Sequence, residues 1–526
     1  MRSYYAHLET TIPFTGTIAP RPVYRSSAIF PVMHSSLSSS RILFMGYWIL
    51  KRNVREVAAI VTLRNNEGKI LARHSFSVTE AKTYRIEVAD LLEMCPPATE
   101  NDFFGSMEIE FFSTQNLVFP FPAVVINYYS PKFSTVVHTA QRIYNDFEDM
   151  TKNSQTNVPE SGFNIYADND REPFLGIING IIPVKNSMLR LQFFNHKQEI
   201  LERKVDLGEV NPYQTQWIYP ARCFELKQFL DHQPGTCKVH FHVNWIFPRL
   251  LVGNLHHSIP AVTITHTYYD CSQAETDSDY WKSAHTNFYP STLMVPACIA
   301  NHHYTNIYFY PIYSPSSFSI DVELYDDQGL LLATKKNALI ISSQEPQFHR
   351  IPIRSYYHDF GIPETLNGGV RLIARPIDST RFPARIKLGL DIGIQGFQTP
   401  CNICTNLQPY NPALETKPSS FRWAPILADN DSATIWIMNS APEIVYQRTA
   451  TIEITFFREI DSTTLKRNLN LPANGFIVLH IHEDPELRKF FNNQVGWMTV
   501  ITSNPYTSMY YFAENSSGVV GGDHGF

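Results

Sequence analysis

The chain has 526 residues, a formal net charge of −6, 44% hydrophobic, 17% charged and 13% aromatic residues, and 35 prolines against 23 glycines. At about 100–200 residues per domain the length predicts several domains. Low charge with 27 tyrosines and 35 phenylalanines excludes disordered, coiled-coil and collagen-like classes and favours β-structure, since aromatic side chains suit pleated surfaces, while the negative balance argues against a broad nucleic-acid-binding surface.

The first residues, MRSYYAHLETTIPFTGTIAPRPVYRSS, lack the apolar core of about 7–15 residues and the small-residue cleavage site of a secretory signal. No stretch approaches the roughly 18 apolar residues a membrane-spanning helix needs. Cys95, Cys223, Cys237, Cys271, Cys298, Cys401 and Cys404 are odd in number and scattered, which reads as reduced thiols rather than a disulfide framework. The cytoplasm is the default compartment.

Along the chain the same series of elements recurs. A short apolar run comes first: LFMGYWIL (43–50), FLGIINGII (174–182), NIYFYPIY (306–313) and ATIWIMN (433–439). A hairpin follows, in which apolar alternation flanks a polar turn: AAIVTLRNNEGKILA (58–72), MLRLQFFNHKQEIL (188–201), SIDVELYDDQGLLLA (319–333) and ATIEITFFREIDSTTLKR from Ala450. Helical or turn-like stretches such as LLEMCPPATE and CFELKQFLDHQ come next. After them, strands open at Gly105, Gly235, Gly368 and Gly496, and a final strand often begins Pro-Ala (122–123, 260–261, 383–384). Leu63 and Leu324, Gly68 and Gly329, and Ala72 and Ala333 stand the same distance apart, about half the chain; so do two copies of Ala-Asp-Asn-Asp, at 167–170 and 428–431. This pattern predicts four tandem antiparallel β-sandwich units of about 130 residues, Ig-like or jelly-roll-like, arising from a duplicated pair. Six to seven strands are expected in each. The expected bounds are 1–150 with an N-terminal extension, 151–285, 286–412 and 413–526.

The chain contains no GxGxxG, GxxxxGK[ST], GxSxG or HExxH, so the nucleotide, hydrolase and zinc-protease readings with local signatures fall away. Three tails that follow final strands hold a histidine: His138, His285 and His524. Neutral imidazole ligates metals well, so these are the candidate metal ligands; the alternative is closure of each unit by side-chain hydrogen bonds. The third unit has Thr399, Cys401 and Cys404 there instead. Cys401–Cys404 forms a CxxC without the second pair that a zinc site requires, and reads as free thiols. The pairs His256–His257 and His302–His303 border apolar strands and are placed to meet at the junction of the second and third units. Residues 138–163 read as a polar linker.

The segment ITHTYYDCSQAETDSDYW (264–281) is the densest in aromatic and polar residues. On an extended chain His266, Tyr268 and Asp270 share a face. Together with Tyr280 and Trp281 they form a candidate ligand surface, because ring faces stack on sugar C–H bonds while carboxylates bind hydroxyls. The plain alternative is an edge strand and an acidic linker. If the chain is an enzyme, His266, Asp270 and Asp279 are the expected catalytic groups.

The functional expectation is therefore a non-catalytic binding or scaffolding protein for glycan or another protein, self-association being possible for such platforms. The alternatives are a carbohydrate-active enzyme with its site near residues 264–285 and a structural subunit of a larger assembly. No cofactor is indicated by the sequence.

Overall fold

The computed structural model describes residues 23–95, 102–119, 121–138, 141–144, 155–269, 281–283, 290–312, 314, 316–342, 345–377, 381–383, 385–397 and 399–526, with backbone alone at 155–161, 268–269, 281–283 and 382. It is a set of four tandem antiparallel β-sandwiches. The first is built from β1 (Tyr24–His34), β2 (Ser39–Met45), β3 (Val57–Asn65), β4 (Ile70–Val78), β5 (Thr83–Glu87), β6 (Phe103–Ser113), β7 (Val124–Ser130) and β8 (Phe133–Val137). One sheet has the order β1-β6-β3-β4 and the other β5-β2-β7-β8. Advancing every strand of the first sheet by four places, counted cyclically, generates the second. The same two strand orders recur in the other three units, with the strand Tyr268–Tyr269 added at one sheet edge in the second and the two sheets joined into one of eight strands in the third. Eight strands thus replace the expected six to seven. In the first unit β1, β5 and β8 lie outside the series read from the sequence, whose Pro-Ala strand at 122–123 leads into β7 rather than the last strand; β1 carries Pro31 and the polar run Arg25-Ser26-Ser27.

Alternation explains the cores. Ala59, Val61 and Leu63 on β3 and Met107, Ile109 and Phe111 on β6 are all fully buried, because side chains two apart face the same side of a sheet. The hairpins of the first and third units obey one rule. In the first unit Gly68 has φ +86° and Asn65 Oδ1 accepts from the Lys69 N–H at 2.9 Å. In the third, Gly329 has φ +79° and Asp326 Oδ1 accepts from the Leu330 N–H at 2.8 Å. An Asn or Asp side chain closes the turn and glycine supplies the left-handed conformation. The apolar run at 43–50 is not a single strand: it leaves β2 at Met45, and Tyr47–Arg52 is a short helix.

The units pack in equivalent pairs. The Asn66 carbonyl accepts from the Thr215 N–H at 2.9 Å, and the Asp327 carbonyl accepts from the Phe476 N–H at 3.1 Å. Both contacts join a hairpin tip to the next unit, and both partners are displaced by the interval that relates Gly68 to Gly329. At the centre lie the four final strands, Phe133–Val137, Ala261–His266, Cys401–Pro409 and Val520–His524. Each packs against two of the others, so that the units follow one another around a ring in the order first, fourth, third, second. Gly521 permits the closest approach: a Cβ there would press into the Ser134 backbone. No helix among the described residues is long and apolar enough to cross a membrane.

Candidate functional site

Two places combine chemistry with shape. The first is the central ring, where final strands of three units bring His138, His266 and His524 together. Ring centroids of His138 lie 4.8 Å from His266 and 4.4 Å from His524. One ring nitrogen from each lies within 4.8 Å of the other two. Every Nδ1 faces an oxygen: Asp523 Oδ2 at 2.7 Å from His138, the Thr267 carbonyl at 3.0 Å from His266 and the Gly525 carbonyl at 3.2 Å from His524. Carbonyl oxygens only accept, so the Nδ1 atoms of His266 and His524 carry hydrogen. Burial, with His138 nearby, holds His266 far below the usual imidazole range; the same causes bring His524 down to about 4. Burial alone would raise Asp523, but the charge and hydrogen bond of His138 outweigh it and leave the carboxyl below its ordinary value. A cavity of about 510 Å³ opens beside His138, walled by Phe121, Phe247, Trp423 and Phe526.

The second place is a wider cleft of about 860 Å³ between the second and third units. Tyr304, Asn306 and Tyr308 alternate along the strand His303–Phe309 and so face it together. Register places Arg350 opposite Tyr308 and Pro352 opposite Asn306. Arg354 and His358 join them from the helix Ile353–Phe360. The second unit contributes Tyr166 and Arg171, the guanidinium lying 4.1 Å from the Tyr166 ring centre.

The walls of this cleft are held rigidly. The Tyr166 hydroxyl donates to the buried Asp391 carboxylate, which also accepts from Asn164 Nδ2 at 2.8 Å and Asn402 Nδ2 at 3.0 Å. Burial raises the Asp391 pKa, those hydrogen bonds opposing only part of the effect. Arg171 is held by Asp168 through Nε at 2.8 Å and Nη2 at 2.6 Å. Arg354 is committed to the Glu364 carboxylate and to the carbonyls of Ile299 and His303. Arg350 differs: its guanidinium donates to the Asn306 amide oxygen at 3.2 Å, and it has no carboxylate in ion-pair range among the described residues.

Of the residues singled out by sequence, His138 and His524 do meet, and the third member of their group is His266. His266 is fully buried, not displayed on an open aromatic face. The dipeptide His-Thr occurs at 138–139, 266–267 and 285–286, so sequence offered three equivalents for two positions. His285, Asp270, Asp279 and Tyr280 lie outside the described residues, and Tyr268 and Trp281 are described as backbone strand only. The histidine pairs do not meet: His256 Nε2 lies 3.5 Å from the Thr263 hydroxyl within its own unit, whereas His303 Nε2 contacts Glu514 of the fourth unit at 2.8 Å. Cys401 and Cys404 sit three residues apart on a strand and therefore face opposite sides. No disulfide joins them. The linker at 138–163 contains two strands, Arg142–Ile143 and Gln155–Ile165. Tyr304, Asn306, Tyr308 and Arg350 were missed as a group, because the run NIYFYPIY reads as a core strand and Arg350 stands far along the chain.

No family model matches the sequence, and no curated protein matches it. Among solved structures the chain is similar to a tetra-tandem repeat in the extending region of a large adhesion protein, with 7% identity over 90% of this chain and 91% of that one at a TM-score of 0.10. It is also similar to a calcium-binding mutant of Bacteroides uniformis β-glucuronidase 2, with 5% identity over 47% of this chain and 26% of that one at a TM-score of 0.11. A glycosyl hydrolase family 2 member from Bacteroides cellulosilyticus gives 7% identity over 93% and 92% at 0.09. At such TM-scores these likenesses carry no argument about function.

Proposed function

We propose that this chain is a non-catalytic binding protein, a four-sandwich platform that takes an acidic carbohydrate in the cleft between its second and third units. The observation that carries the reading is Arg350, an exposed cation with no carboxylate in ion-pair range among the described residues, set beside the tyrosines of an aromatic wall. A guanidinium receives a sugar carboxylate through two parallel N–H donors. Tyrosine faces stack on sugar C–H surfaces, and the Asn306 and Gln395 amides offer donors and acceptors for hydroxyls. The Asp391 network supports this role by fixing Tyr166 in advance, which lowers the ordering cost of binding.

The test is a glycan array with the intact chain, followed by calorimetry on variants. Carboxylate-bearing glycans are expected to be selected over their neutral counterparts. Arg350→Ala is expected to weaken them by about 10–100-fold, the equivalent of losing a charged hydrogen bond, with the melting temperature unchanged. A blank array from folded protein, or equal binding by the variant, overturns the reading.

A further inference from the structure

We propose that His138, His266 and His524 form a zinc site that ties the first, second and fourth units together at the centre of the molecule. The three side chains come from equivalent ends of final strands, so the fold itself delivers them to one point. Zinc takes imidazole nitrogen at about 2.0–2.1 Å in tetrahedral array, which sets N···N separations of about 3.3 Å. One ring nitrogen from each histidine lies within 4.8 Å of the other two, so a closing of at most about 1.5 Å brings them to that spacing.

The hydrogen bonds prepare the ligand form. With Nδ1 of each ring directed at an oxygen, Nε2 is the nitrogen left to ligate. The buried Nε2 of His524 makes no hydrogen bond in the structure. Asp523, which binds Nδ1 of His138 and accepts its backbone N–H at 3.1 Å, completes a carboxylate–histidine pair of the kind that orients metal ligands and raises their basicity. A donor set of three imidazole nitrogens suits zinc rather than calcium or magnesium, which take oxygen donors. The aromatic cavity beside His138 leaves room for a fourth ligand, a water or a small anion. The site is remote in function from the carbohydrate cleft, and neither proposal depends on the other.

The experiment uses the full chain, stripped with EDTA and then dialysed against zinc chloride. One zinc per chain is expected by elemental analysis, with a melting temperature that rises as free zinc increases, since binding to the folded form alone stabilises it. Zinc-edge X-ray absorption on the wild-type chain is expected to show three imidazole nitrogens. His524→Ala is expected to abolish stoichiometric binding, and Asp523→Asn to weaken it by about 10–100-fold. Well under one zinc per chain, an absorption spectrum dominated by sulfur or carboxylate oxygen, or full binding by folded His524→Ala overturns the proposal. The wild-type spectrum decides even if the variant does not fold.

Discussion

Gly521→Ala tests the central ring. Gly521 lies on the fourth unit's final strand, and an added Cβ would stand 2.7 Å from the Ser134 carbonyl carbon and 2.9 Å from Thr135 Cα, with the Ser134 oxygen closer still. These are backbone atoms of β8, so no side-chain rotation relieves them. The two strands must separate or β8 must bend, and either movement disturbs the neighbouring bond from the His138 N–H to Asp523. Overpacking of a well-filled interior costs about 1–3 kcal/mol. A clash with backbone belongs at the upper end, about 3 kcal/mol. The two units that share this contact comprise roughly 250 residues, for which 1 kcal/mol corresponds to about 2–4 °C. The expected drop is therefore on the order of 6–12 °C by differential scanning calorimetry, measured in EDTA so that any metal contributes nothing. Gly396→Ala is the control: its added Cβ meets nothing within 4 Å, though φ is +86°, and it should lose only about 1 kcal/mol from that conformation. Equal melting temperatures for Gly521→Ala and the wild type would refute the packing of the final strands described above.

Burial, reinforced by Arg171, brings the His256 pKa down to about 4, against about 6.5 in the unfolded chain. The unfolded state therefore binds the proton more readily, so this contribution is fully present above about pH 6.5 and is lost as pH falls towards 4. It amounts to about 3 kcal/mol, and urea midpoints measured across that window should fall less steeply for His256→Gln than for the wild type. Arg41 is buried between the first and fourth units and donates to Asp429 at 2.6 Å, the latter side chain being 24% exposed; Arg41→Met should cost about 3 kcal/mol, the low end for breaking a buried pair. A double-mutant cycle with Asp429→Asn should return coupling of at least about 1 kcal/mol. Of the six described cysteines only Cys223 is exposed, so mass mapping after brief thiol labelling should find Cys223 modified before Cys237, Cys298, Cys401 and Cys404, which react together on unfolding.

Local signals were legible in the sequence and long-range ones were not. Asn65 with Gly68, and Asp326 with Gly329, declare their hairpins because each turn is closed within four residues. The interval between the two copies also revealed the paired repeat, which the tip contacts of Asn66 and Asp327 repeat in three dimensions. The first strand of each unit was harder to read: Pro31 in β1 suggests a break, although β1 pairs along its whole length with β6. The histidine group was half legible. His138 and His524 stood out, with His285, as histidines in tails after the final strands, but His266 was absorbed into an aromatic run, and only the packing of strands from different units decides which His-Thr is the equivalent. The cleft was illegible for a related reason. Alternation along His303–Phe309 marks two faces, yet nothing local says that one of them meets Tyr166 and Arg171 from the preceding unit.

The most direct test of the proposed function is a crystal structure of the chain with the tightest acidic oligosaccharide from the array. The sugar carboxylate is expected within hydrogen-bonding distance of the Arg350 guanidinium, with a sugar ring against Tyr304. A sugar bound elsewhere, for instance against residues 264–285, or one that leaves Arg350 without a contact, would contradict it.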